Sequence, residues 1–220
     1  MYRDSHQRTL AEYPYPSAAV DTAVLTLSEG AALSVLLVRY GEGWRLPGTF
    51  LHEGERLADA VLRSLRVKAG VTGLSPRQLR VFDDPKRDDR GWVLSVAHLD
   101  AVPLSRLATD PDLARLVPVQ DIPPLPYGHE EIVTLAVSTL RADYRLRPDP
   151  AGLLTGPFTL RDLHRLHGGV AGSVLPRDTF RRAMEPQLVA SGKTGLGVVG
   201  KPARLFTRGP CAFPTEKSSE

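Results

Sequence analysis

The chain has 220 residues, 42% of them hydrophobic and 24% charged, which suits one large domain or two small ones that each bury a core. Its net charge is +3, and it contains no run of about 18 apolar residues, so no membrane span is expected. Cys211 is the only cysteine, which excludes an intramolecular disulfide and a cysteine-rich metal site.

Residues 1–17, MYRDSHQRTLAEYPYPS, lack the apolar core and cleavage pattern of a secretory signal and form a lead-in; a cytoplasmic protein is expected. Thr22–Leu27 and Leu33–Arg39 are apolar runs separated by the turn-like Ser28-Glu29-Gly30, which predicts an antiparallel strand pair. Gly43 to Val71, GWRLPGTFLHEGERLADAVLRSLRVKAGV, predicts a strand end, a tight Gly-Pro loop and an amphipathic helix beginning near Arg56. Ala58, Val61, Leu62, Leu65 and Ala69 make its expected buried stripe. Ser64, Val67 and Lys68, spaced i, i+3, i+4, share a separate face. Leu79–Phe82 and Trp92–Leu99 read as two more strands, joined by the turn-rich DDPKRDDRG. Residues 103–126 are rich in Pro and Leu, with a short helical patch expected near Leu107–Leu116. His129–Tyr144 follows as a helix with Ile132, Leu135, Ala136 and Leu140 on one side.

The stretch ending at Val71 resembles the signature of the Nudix hydrolases, G-x5-E-x7-R-E-U-x-E-E-x-G-U, with U a bulky aliphatic residue. Glu55, Arg63, Leu65, Gly70 and Val71 match it. Thr49 stands at the opening glycine, just after Gly48, and Ser64, Val67 and Lys68 stand at the three carboxylates. The resemblance implies a Nudix-like α/β/α sandwich over residues 18–147. In Nudix enzymes the carboxylate face holds Mg²⁺, which offsets diphosphate charge and activates the attacking water. An alcohol, a hydrocarbon and an ammonium replace those ligands here, so no bound metal and no catalytic residue are expected. Glu55 and Arg63 are expected to brace the loop.

Residues 145–157, RLRPDPAGLLTGP, read as a domain boundary, with a linker over 148–157. The charge balance changes there: residues 1–150 hold 18 Lys and Arg against 20 Asp and Glu, and residues 151–220 hold 10 against 5. A basic last third suggests a separate module with an anionic partner. Thr159 predicts a helix cap with Asp162 three residues on, and Leu160, Leu163 and Leu166 form the apolar side of that helix, which Gly168-Gly169 is expected to end. Pro176 opens a second helix, with Phe180, Met184 and Leu188 as its buried edge. Pro186 must kink or stop it, and Gly192 marks its latest end. Gly195 to Arg208 predicts a β-hairpin with Gly200-Lys201-Pro202 at its tip. Helix, helix and basic hairpin over 158–208 make a winged helix-turn-helix, with a disordered tail expected over 209–220. The fold class expected is α+β. Arg177, Thr179, Arg181 and Arg182 on the second helix suit the major groove of double-stranded DNA. Lys201 and Arg204 on the wing suit phosphate.

A degenerate Nudix domain followed by FTLRDLHRL, PRDTFRRAM and GKPARLF resembles the Nudix-related transcriptional regulators, the NrtR-type family, over about residues 18–208. The resemblance implies a homodimeric repressor of a palindromic operator, released when its Nudix domain binds ADP-ribose or a related nucleotide, in the control of NAD or related metabolism. No cofactor is required. By the family's layout Arg39, Arg45 and Arg90 border the effector cleft and offer donors to a diphosphate, with Gly48 in its loop. Phe50 or Trp92 offers a ring to a base, and His129 opens the helix at the cleft's edge. The segment 145–157 is the expected hinge. Two other readings stand beside this one. One is a hydrolase drawing carboxylates from Glu53, Glu55, Asp59, Asp83 or Asp84. The other is a nucleotide-binding adaptor whose basic domain takes protein or RNA.

Overall fold

The computed structural model describes residues 2–107, 110–194 and 203–209. Its elements are β1 (Ser17–Leu27), β2 (Leu33–Tyr40), β3 (Gly43–Arg45), β4 (Gly48–Phe50), α1 (Leu57–Ala69), β5 (Arg77–Phe82), β6 (Val93–Ala101), β7 (Ala114–Pro118) and α2 (His129–Leu146), followed by β8 (Phe158–Thr159), α3 (Leu160–Ala171), α4 (Arg177–Met184), β9 (Leu188–Thr194) and β10 (Arg204–Arg208). Among the described residues the first nine elements build a mixed seven-stranded sheet between two helices, ordered β3-β2-β1-β6-β5, with β4 on β1 and β7 on β2.

Strand β1 is the axis. It runs antiparallel to β2 and parallel to β6, and it is buried from Ala19 to Thr26. Alternation sends Val20 and Val24 to the α1 side with Val61 and Leu65, and Ala23 and Leu25 to the α2 side with Ile132, Val133 and Ala136. A strand covered on both faces reads as a continuous apolar run, which is why this segment is legible in the sequence.

Several expected details change. Helix α1 is turned from the expected stripe: Ala60, Val61, Ser64, Leu65 and Ala69 are buried, while Ala58 and Leu62 are exposed. The helical patch expected at Leu107–Leu116 is a 3-10 turn at Leu104–Arg106 followed by β7, which pairs with β2 from Ser34↔Pro118 to Val38↔Ala114. A long-range partner on the outer edge of β2 overrides the local helical pattern.

Beyond α2, Thr159 and Asp162 form the capping box that starts α3. Helix α3 does not end at Gly168-Gly169 but runs to Ala171 and stops at Gly172, whose φ is +72°. Gly169 serves close approach: a Cβ there would lie 2.5 Å from the carbonyl oxygen of Ala31 and 3.0 Å from Leu27, in the β1–β2 hairpin. Helix α4 stops at Met184, and Pro186 sits in the 3-10 turn Glu185–Gln187, as its missing N–H requires. Leu188 therefore leaves the helix edge and begins β9, which passes through Gly192 and pairs antiparallel with β10. The hairpin starts seven residues earlier than expected; its expected tip at 200–202, including Lys201, and the tail from 210 on lie outside the described residues.

The segment 148–157 is not a free tether. Asp149 is 0% exposed. Its carboxylate accepts from Tyr144 Oη at 2.7 Å, the backbone N of Leu153 at 2.8 Å and of Leu154 at 3.0 Å, and Arg208 Nη1 at 2.8 Å. The Asp149 N–H points at His167 Nε2, 3.3 Å away. One apolar cluster runs without a break from Leu25 and Leu140 to Phe158, Leu163, Val170, Phe180 and Phe206. Each fully buried side chain of this size stabilises the docking by roughly 1.5–3 kcal/mol.

Candidate functional site

A cleft of about 130 Å³ opens beside the start of β4, lined by Asp21 from β1, Arg45 and Gly48 to Phe50 from the β3–β4 region, Lys68 from α1, Arg87, Asp88 and Arg90 from the β5–β6 connection, and Tyr127 and His129 at the start of α2. Strand pairing explains the convergence, because Asp21 lies opposite Gly48 in the β1–β4 ladder. A Cβ on Gly48 would sit 1.9 Å from Asp21 Oδ1, so only glycine lets the loop approach this carboxylate. Asp21 Oδ1 lies 3.2 Å from His129 Nε2, and Oδ2 accepts from Ser95 Oγ at 2.5 Å and lies 3.8 Å from Arg87. Burial pushes the Asp21 carboxyl up, but His129, Ser95 and Arg87 outweigh it and hold it below its usual range. His129 Nδ1 accepts from the backbone N of Leu46 at 3.0 Å, which ties α2 to the loop.

The other wall is cationic. Arg90 forks onto Asp88 at 2.7 and 2.8 Å, with Phe50 5.1 Å and Tyr127 3.9 Å from its guanidinium. Arg87 donates to the carbonyl of Tyr127 at 2.7 Å, and the Tyr127 hydroxyl meets that of Tyr40 at 2.5 Å. Arg45 lies over the Tyr40 ring at 4.1 Å, and its buried Nε has no hydrogen-bond partner among the described residues. Lys68 donates to the carbonyl of Gly48, and burial, reinforced by Arg45, lowers its ammonium to a pKa of about 8. Just outside the cleft, Arg63 grips Glu55 with two bonds of 2.7 Å and donates to the carbonyl of Phe50 at 3.0 Å and to Thr49 Oγ1 at 3.2 Å. Arg63 holds the Glu55 carboxyl down at about 2. This pair braces the loop.

A second charged surface lies on the C-terminal elements. Arg161, His164 and Arg165 of α3 face Arg177, Asp178 and Arg181 of α4 across a groove of about 750 Å³. Arg181 also pairs with Glu185 one turn on, at 2.7 Å. Arg182 is exposed, and Arg204 on β10 lies over Phe206 at 5.3 Å. Thr179 is on the other side of α4, in a separate hollow against Arg141 and Arg145 of α2.

Residues 17–136 match the profile of the NUDIX domain. The chain belongs to the Nudix family. It is 26% identical over 213 residues to the ADPR responsive transcriptional repressor NtrR of Acinetobacter baylyi, covering 89% of this chain and 83% of that protein. It also resembles, at 28% over 127 residues, an ADP-ribose pyrophosphatase of Methanocaldococcus jannaschii, covering 55% of this chain and 73% of that one. The structure superposes on Shewanella oneidensis NrtR complexed with a 27mer DNA with a TM-score of 0.71 at 28% identity, covering 88% of this chain and 94% of that chain. The Nudix domain of the same protein, complexed with ADP ribose, matches 61% of this chain and 95% of its own at 26% identity, with a TM-score of 0.53. Over 88% of its length the chain is thus similar to NrtR, through the Nudix domain and the C-terminal elements together.

The divalent cation of Nudix hydrolysis does not fit these residues. Among the described residues no group of three or more His, Cys, Asp or Glu is placed to hold a metal ion. Ser64 is buried, its hydroxyl without a hydrogen-bond partner among the described residues, and Val67 is 65% exposed and away from the cleft. Of the three substituted positions only Lys68 lines the Nudix cleft. An ammonium about 4 Å from a divalent ion would repel it by roughly 8 kcal/mol at an effective dielectric near 20.

The structure brings together Arg45, Gly48, Phe50, Arg90 and His129 from the expected effector set. It does not bring in Arg39, whose guanidinium sits 5.3 Å over Trp44 on the outer end of β2, nor Trp92, which is 44% exposed and off the cleft. Asp21, Arg87, Asp88 and Tyr127 were missed. Only one local signal marked any of them, the turn-rich run around Asp88. For the expected DNA set, Arg177 and Arg181 share one groove, Thr179 does not face it, and Arg161 and Arg165 join it unannounced.

Proposed function

We propose that this Nudix chain is an effector-responsive, DNA-binding transcriptional regulator that acts as a repressor. Its cleft senses ADP-ribose or a related nucleotide without hydrolysing it. The observation that carries this reading is the cleft itself: a Nudix loop and helix with an ammonium in place of metal-binding carboxylates, packed through a shared apolar cluster onto C-terminal helices with an arginine-lined groove. The likeness to a repressor named ADPR responsive and to NrtR solved with DNA and with ADP ribose supports it.

Arg45 and Lys68 meet the diphosphate, and Phe50 offers its ring to the base or ribose. On the C-terminal side Arg177, Arg181 and Arg182 with Arg161 and Arg165 approach double-stranded DNA, Arg204 and Lys201 holding phosphate. A homodimer on a palindromic operator sets two such helices about 34–36 Å apart. An effector that weakens binding about 100-fold needs a coupling energy of roughly 2.7 kcal/mol, drawn from contacts that differ between the two arrangements. The winged helix is docked through α3, Gly169 and Asp149, so the rearrangement moves through that junction or through the dimer surface. The NrtR resemblance extends the proposal to cytoplasmic control of NAD or related nucleotide and sugar metabolism.

The hydrolase reading, which the pyrophosphatase likeness keeps in view, requires carboxylates on the cleft. Glu55 is locked to Arg63, and Glu53, Asp59, Asp83 and Asp84 do not line it; Asp21 and Asp88 do, but Asp21 is held by His129, Ser95 and Arg87 and Asp88 by Arg90. The test is binding of the purified protein to the DNA upstream of its own gene, with and without ADP-ribose, in Mg²⁺. Specific binding released by ADP-ribose is the expected result; no specific binding, with ADP-ribose consumed, would return the chain to the hydrolases.

A further inference from the structure

We propose that the Lys68 ammonium takes the part of the divalent cation in this cleft, so that a nucleoside diphosphate ester is bound without Mg²⁺. This deepens the effector reading and rests on it. The cleft holds four cationic side chains, Arg45, Lys68, Arg87 and Arg90, against two carboxylates, Asp21 and Asp88. Both carboxylates are committed: Asp88 is forked by Arg90, and Asp21 is shared by His129, Ser95 and Arg87.

Arg45 and Lys68 are left without an ion pair among the described residues. Arg45 keeps a buried, partnerless Nε, and Lys68 has a single hydrogen-bond acceptor, the Gly48 carbonyl, for three donors. A diphosphate diester brings two negative charges to these two cations. Buried charge of one sign is costly unless an anion completes it, and burial, with Arg45 beside it, lowers the pKa of the Lys68 ammonium. The position matters as well. Lys68 enters from the helix that places metal-binding carboxylates in the family signature, so its positive charge comes into the cleft from the side on which those ligands stand. The substitution removes the cation that activates water and keeps the charge that holds the ligand. Binding and hydrolysis are thereby separated.

The experiment is calorimetric titration of the full chain with ADP-ribose, in EDTA and in Mg²⁺, for the native protein and for Lys68→Ala, Lys68→Arg and Lys68→Glu. The native affinity is expected to be the same in EDTA and in Mg²⁺. Lys68→Ala should bind roughly 10- to 100-fold more weakly, and Lys68→Arg should recover most of the loss. Lys68→Glu should lose binding in EDTA and regain part of it in Mg²⁺. Native binding that requires Mg²⁺, or unchanged affinity in a folded Lys68→Ala, would overturn the inference and leave the effector reading in place. Absence of ADP-ribose binding in both conditions would overturn both. The comparison of EDTA with Mg²⁺ needs no variant to fold.

Discussion

Asp149 offers the sharpest test of how the two halves are joined. Replacing it with alanine removes one fully buried carboxylate and leaves Tyr144 Oη and the N–H groups of Leu153 and Leu154 without this acceptor, while Arg208 keeps the carbonyl of Leu154. Arg208 is partly exposed and rehydrates, but the other three donors are in or near the core. A buried donor left unsatisfied costs about 1–3 kcal/mol, which puts the three together at roughly 3–5 kcal/mol once water reaches part of the backbone pair. For a chain of this size that lowers Tm by roughly 6–20 °C. Arg208→Ala should cost less, because Asp149 keeps three donors. A double-mutant cycle then isolates their coupling. Thermal and urea unfolding followed by circular dichroism supply the measurements. A loss below about 1 kcal/mol for Asp149→Ala would mean that 148–157 is a loose linker after all, and that the winged helix is not fixed by this junction.

Gly48→Ala places a methyl group on Asp21 and should cost about 1–3 kcal/mol and abolish ADP-ribose binding while the far-ultraviolet spectrum persists; normal binding would show that the loop does not need this approach. Lys68 is lowered to about 8 in the free protein, and a bound diphosphate raises it. ADP-ribose affinity is then full below pH 8 and falls above it, by at most about tenfold per pH unit; calorimetry showing no proton uptake at pH 8–9 would contradict this. Burial first, then His164, push His167 down to about 4, despite its contact with Tyr144. Its neutral form is favoured on folding, so stability holds above about pH 6.5 and declines as pH falls toward 4, by up to roughly 3 kcal/mol; His167→Phe should flatten that stretch of the pH–stability curve, and an unchanged slope would assign it to other groups. Arg165→Ala and Arg177→Ala should each weaken DNA binding and lower the salt slope by about one; a slope equal to that of the native protein would remove the α3–α4 groove from the interface.

What the sequence made legible follows from how local each signal is. The capping box at Thr159 and Asp162, the stop at Pro186 and the doubly covered β1 are written in a few neighbouring residues. Strand β7 is held by β2 from about eighty residues away, and local composition around Leu107–Leu116 carried no trace of it. Gly168-Gly169 reads as a stop because nothing nearby reveals the Ala31 carbonyl that requires Gly169. In the cleft, Gly48, Arg45 and His129 were visible through the resemblance of their loop and helix. Asp21 is hidden in an apolar strand; Arg87 meets it only in the folded chain, and Tyr127 joins them through Arg87 and His129. Arg39 and Trp92 stand off this cleft for the complementary reason: both are the residue types a nucleotide site wants, but strand geometry directs them elsewhere.

The claim that one protein couples a nucleotide cleft to a DNA surface has a thermodynamic signature that no separate pair of sites can imitate. The measurement is the affinity of the protein for ADP-ribose, free and saturated with its operator DNA, beside its affinity for that DNA with and without saturating ADP-ribose. Coupling requires the two ratios to be equal, each about 100-fold if release is to be effective, with ADP-ribose recovered intact. Equal ADP-ribose affinities in the free and DNA-bound protein would contradict it.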